Sequence, residues 1–201
     1  IARLIKGTSE FGKELDSLTD FVSFGIAPVF ILYFWELNNY GKLGWAITLI
    51  YSVCCVLRLA RFNLTKINET EAWKNNFFEG IPSPAGGLLI LMPLIYDLTN
   101  FNFGLNVKQL TPYLTILIAI LLVSKIPTLA LKKISISPKG TVFLLLGIGI
   151  VFIALLFYTL ETLLMFGTIY LFSIPISILI YTNQNKKNAE KISDDNHEDI
   201  L

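Results

Sequence analysis

The chain has 201 residues, of which 54% are hydrophobic and 15% charged, with a mean hydropathy of +0.63; this excludes an ordinary soluble domain and fits an all-α, polytopic membrane bundle. A formal net charge of +1 excludes a general nucleic-acid surface, so no nucleic-acid partner is expected. Adjacent Cys54 and Cys55 and the single His197 form no Cys-x-x-Cys or Cys/His pattern, which argues against a disulfide or a zinc site.

Six apolar spans are predicted, over residues 15–35, 43–59, 85–98, 110–131, 141–158 and 162–181, most of them near the roughly 20 residues that cross a bilayer. The third is short and takes its start from Ile81-Pro82-Ser83-Pro84. Residues 1–182 read as one membrane domain and residues 183–201 as a polar tail, expected to be disordered. Lysine and arginine alternate between connections: one side carries Arg3, Lys6, Lys13, Arg58, Arg61 and further lysines, the other only Lys42 and Lys108. By the positive-inside rule the first side is cytoplasmic, so Asp16 and Asp20 open toward the cytoplasm; the expected location is the inner membrane. Basic clusters beside the spans suit contact with anionic membrane lipids.

Gly12, Asp16 and Asp20 recur every four residues at the mouth of the first span. On a helix they share a face, with the two carboxylates roughly 6 Å apart along the axis. Two ionised acids within a span repel each other and are costly to insert, so a cation is expected between them. Oxygen-only ligands point to Mg²⁺ or Mn²⁺, and Gly12 has no side chain to hold a ligand off the helix. A lone acid at a helix end more often merely solvates it; the full spacing argues for a site.

The run Ala2-Arg3, eight residues, Gly12, three residues, Asp16, three residues, Asp20 resembles the second half of the CDP-alcohol phosphotransferase signature, D-x2-D-G-x2-A-R-x8-G-x3-D-x3-D. The first two aspartates of that signature would stand just before Ile1, so the resemblance implies that half of the metal site and one or two spans precede this sequence. Residues 15–28, LDSLTDFVSFGIAP, the element RLARFN at 58–63, FEGIPSPA at 78–85 and VSKIP at 123–127 resemble bacterial and archaeal phosphatidylserine synthases up to about residue 181. The resemblance implies transfer of a phosphatidyl group from CDP-diacylglycerol to L-serine with release of CMP, and allows a homodimer. It makes Asp16 a metal ligand and Asp20 both the general base and a metal contact. Ala2 and Gly12 would admit the nucleotide closely, and Arg3 would hold the site or bind phosphate.

Arg58 and Arg61 are spaced to meet on one face if their helix continues through Phe62, where guanidinium groups suit phosphate or carboxylate; ending a span by the positive-inside rule explains either one equally well. Ser83, among Gly80, Pro82, Pro84, Gly86 and Gly87, lines either a bent polar approach or simply a helix boundary. Two other readings fit the aspartates: a different alcohol acceptor, such as glycerol phosphate, inositol phosphate or choline, and an ion-coupled transporter.

Overall fold

The computed structural model describes residues 10–64, 77–99, 104, 106–129 and 138–198. Among the described residues seven α-helices carry the fold: α1 (Glu10–Asp20), α2 (Ala27–Trp35), α3 (Lys42–Leu64), α4 (Ser83–Leu98), α5 (Val107–Val123), α6 (Pro138–Phe157) and α7 (Thr159–Glu198). Four helical segments are long and apolar enough to cross a membrane, Phe11–Trp35, Lys42–Leu64, Gly140–Phe157 and Thr159–Asn183, while Ser83–Leu98 and Val107–Val123 are apolar but shorter. The protein is an integral membrane helical bundle. A two-stranded antiparallel ribbon, β1 (Phe77–Glu79) with β2 (Pro127–Leu129), pairs Phe78 with Thr128 and is a local addition to it.

Helix α3 lies at the centre because one stripe of it is buried along its whole length. Gly44, Thr48, Tyr51, Cys55 and Arg58 recur at three- and four-residue steps and are all buried, the spacing of a single helix face. Helix α5 answers with Thr111, Thr115, Ile118, Ala119 and Leu122. The Thr48, Thr111 and Thr115 hydroxyls each donate to the carbonyl four residues back, so these interfaces bury small side chains whose polar atoms are already satisfied. Around them packs the apolar core of Val29, Leu32, Leu89, Ile90 and Ile174.

Helices α1 and α2 form one continuous rod interrupted by a π-type turn at Phe21–Ile26. The cause is Pro28, which has no N–H to offer the carbonyl of Phe24 four residues back and whose ring crowds it. Ala27 N–H reaches the Val22 carbonyl instead, and the buried Tyr51 hydroxyl donates to the stranded Phe24 oxygen at 3.0 Å. Gly25 lies at the tightest point: a Cβ there would come 2.7 Å from the Phe21 ring and 3.0 Å from Cys55 Sγ.

Two expectations are corrected. The span predicted over 110–131 ends at Val123, because Pro127 biases its approach away from helix and the chain leaves to form β2. The tail is helical as far as Glu198; once α7 is nucleated in the bundle, a run rich in Lys, Glu, Asn and Ala extends it without a new nucleation cost.

The break between α5 and β2 is closed by the loop ahead of α4. Gly80 N–H donates to Ile126 O at 2.8 Å and Ile81 N–H to Leu121 O at 3.4 Å, while the Thr128 hydroxyl donates to Gly80 O at 2.8 Å. Gly80 has φ +74°, and a Cβ on it would stand 2.7 Å from the Ser124 carbonyl oxygen and 2.9 Å from that of Leu122. Both backbone conformation and close approach therefore require glycine. Gly80→Ala is expected to destabilise the protein by about 2 kcal/mol or more, read as a lower midpoint of thermal unfolding in detergent; an unchanged midpoint would contradict this account of the loop.

Candidate active site

The aspartate face survives in three dimensions. Gly12, Asp16 and Asp20 lie on α1, with Gly12 and Asp16 exposed and Asp20 half-buried beside the π-type turn. Ala2 and Arg3 lie outside the described residues. Asp16 and Asp20 offer the hard oxygen donors that a divalent cation takes. Among the described residues no third acid, histidine or cysteine joins them in a metal-holding group, so the pair fits part of a divalent-cation site and not a whole one.

The RLARFN element is where the structure says more than the spacing does. Helix α3 does continue through Phe62, to Leu64, and each polar residue of the element reaches a different segment. The buried Arg58 donates from Nε to Ile81 O at 3.1 Å and packs its guanidinium over Phe62, 5.5 Å from the ring centroid. Half-buried Arg61 donates from Nη1 to Val123 O at 2.7 Å, which satisfies a carbonyl at the C-terminal end of α5. Asn63 donates from Nδ2 to Ser17 Oγ at 2.8 Å, and Ser17 in turn donates to Lys13 O at 3.1 Å. One α3 turn thus ties the helix bearing the aspartates, the loop ahead of α4 and the end of α5.

Ser83 is buried in the first turn of α4, within hydrogen-bonding reach of the Cys55 thiol. Cys55 also lies within electrostatic range of Asp20 and Arg58. Asp20, Arg58 and Ser83 therefore gather around one stretch of α3, whereas Arg61 serves the α5 end. The segment Ile81–Pro84 forms a helix boundary locked to the ribbon. Asn63, Tyr51 and Thr128 were not singled out from the sequence, although Asn63 stands inside the RLARFN element; the other two are identifiable only by their partners across the fold. Cys54 and Cys55 are free thiols, the second buried in the core.

These connected motifs can be set beside known proteins. Residues 1–179 match the family described as CDP-alcohol phosphatidyltransferase. The chain belongs to that family. It is 33% identical over 191 residues to the "CDP-diacylglycerol--serine O-phosphatidyltransferase" of Helicobacter pylori strain J99, a match covering 92% of this chain and 77% of that protein. A Mycobacterium leprae protein of the same name is 38% identical over 142 residues, 69% of this chain and 46% of its own length. One from Methanocaldococcus jannaschii is 37% identical over 127 residues, 63% and 53% of the two lengths. As a family member the chain is a membrane-bound transferase, which displaces the transporter reading.

The tie made by Arg58 depends on planar guanidinium geometry that an ammonium group does not reproduce. Arg58→Lys is expected to lose about 2 kcal/mol of stability, the scale of a buried charge-assisted bond. Thermal unfolding in detergent checks it, and an Arg58→Lys protein as stable as the parent would contradict the brace.

Proposed function

We propose that the enzyme transfers the phosphatidyl group of CDP-diacylglycerol to the hydroxyl of L-serine, giving phosphatidylserine and CMP. The observation that carries the reaction is the pair Asp16 and Asp20 on successive turns of α1, the second of them within electrostatic range of Cys55, as Arg58 is, on a helix tied to α3 through Asn63 and Ser17. The serine acceptor is supported by the names of the relatives and by their match across RLARFN and FEGIPSPA.

In this reading Asp16 and Asp20 hold Mg²⁺ or Mn²⁺ together with further ligands. The bound cation supplies charge neutralisation at the diphosphate, the usual requirement of phosphoryl transfer. Asp20, half-buried and next to the π-type turn, accepts the proton of the serine hydroxyl as it attacks phosphorus in line. The exposed Gly12 lets the nucleotide approach α1 closely; Ala2 is assigned the same role and Arg3 that of holding the site or binding phosphate, on the motif alone. Arg58 and Ser83 border the substrate, and Arg61 contributes indirectly by fixing the end of α5. The basic connections support a site at the cytoplasmic face of the inner membrane, where nucleotide-activated lipid and amino acid meet.

The full-length enzyme in liposomes with Mn²⁺ or Mg²⁺ is expected to release CMP from CDP-diacylglycerol only when serine is added. Release with glycerol phosphate, inositol phosphate or choline in place of serine would refute the acceptor; no release with any alcohol would refute the reaction. Asp20→Asn should lower kcat by about 10²- to 10⁴-fold, and Asp16→Asn should raise the metal concentration needed for half-maximal rate. An Asp20→Asn enzyme that turns over normally would remove Asp20 as the base.

A further inference from the structure

Tyr51 is wholly buried on α3, and its hydroxyl donates to Phe24 O at 3.0 Å, inside the π-type turn that begins at the residue after Asp20. Helix α4 closes on the same turn at Gly87, where a Cβ would come 3.3 Å from Phe24 Cα, from its ring and from its carbonyl oxygen. Neither contact touches the aspartates, yet both fix the segment through which α1 is joined to the core.

A π-type turn holds one residue more than an α-turn, so at about 100° per residue it rotates everything upstream by that angle relative to an uninterrupted helix. The rod is anchored on both sides of this turn. Downstream, Val29 and Leu32 are buried in the core that includes Tyr51 and Cys55 of α3; upstream, Ser17 Oγ accepts from Asn63 at 2.8 Å. With α2 seated in the core, a regular helix would carry Ser17, and with it Asp16 and Asp20, about 100° round the axis and break the Asn63 bond. The register of the turn therefore sets the aim of the aspartate face. Pro28 removes the donor that would favour an α-turn. Tyr51 supplies the bond that makes the widened turn tolerable, because a buried carbonyl left without a donor is costly.

We propose that Tyr51 is a positioning residue for the transfer reaction: through the Phe24 carbonyl it holds the turn that aims Asp16 and Asp20 at the divalent cation. The proposal rests on the metal-assisted reading above and assigns part of that site's geometry to a buried tyrosine on a different helix.

In the full-length enzyme, Tyr51→Phe is expected to raise the dissociation constant for Mn²⁺, read from the electron paramagnetic resonance signal of the free ion, about tenfold. The Mn²⁺ concentration for half-maximal CMP release rises with it, and the thermal midpoint falls by a few degrees. Ile118→Val, on α5, loses a similar amount of stability by packing alone and should keep the parent's constant. Adding Pro28→Ala to Tyr51→Phe gives Phe24 O an intrahelical donor, so the midpoint recovers while Mn²⁺ binding stays weak, because the turn reverts to the α register. An unchanged constant in Tyr51→Phe, an equal rise in Ile118→Val, or recovery of binding together with the midpoint in the double variant would overturn the proposal. A parent enzyme that binds Mn²⁺ yet releases no CMP refutes the transfer reaction, and Tyr51 is then judged on Mn²⁺ binding; a parent that binds no Mn²⁺ refutes both.

Discussion

The C-terminal carbonyls of α5 need donors from outside their own helix, and much of the fold follows from how these are supplied. A helix end leaves its last carbonyls without intrahelical donors, and non-helical backbone within a membrane protein persists only where protein or an aqueous cavity satisfies it. Here the donors come from distant sequence: Arg61 to Val123 O, Ile81 N–H to Leu121 O and Gly80 N–H to Ile126 O. These bonds join three helices and the ribbon. Glycine at position 80 and arginine at position 61 are thus parts of one solution, since the first lets the loop come close and the second reaches where the loop does not.

A second irregularity, the π-type turn after Asp20, answers the same demand by another route. Pro28 strands a carbonyl in the middle of the α1–α2 rod, and Tyr51 meets it from α3. Widened turns of this kind are frequent at functional sites. In this molecule the turn directly follows the second aspartate, so the acid lies where an otherwise regular helix changes register. Asn63 and Ser17 join α3 to α1 on the same stretch. The aspartate ladder is therefore set by contacts from α3 as much as by its own spacing.

The sequence made the membrane bundle legible because apolar runs of spanning length have few alternatives, and it made the α1 face legible because the residues at 12, 16 and 20 must share a side of any helix. The helical continuation of α3 through Phe62 was conditional on sequence grounds and is met. Other features were not legible, for physical reasons. Pro127 marks locally that α5 must stop, but the loop more than forty residues upstream that satisfies its end is reported by no local propensity. Arg58 and Arg61 have the chemistry of anion binders, yet the described partners are backbone carbonyls, a choice made by tertiary approach alone. Tyr51 and Thr128 belong to no motif because what distinguishes each is its partner across the bundle.

Helix α6 stands apart from this network. None of its residues from Gly140 to Phe157 is buried, and among the helices it packs chiefly on α7. Side chains in that position are constrained by transfer into hydrocarbon and scarcely by shape. Leu, Ile, Val and Phe should therefore be nearly interchangeable along α6, as they are not along α3 or α5. The helix can drift freely in sequence while its length stays matched to the thickness of the bilayer, which makes it a record of the membrane the enzyme inhabits more than of the reaction it performs.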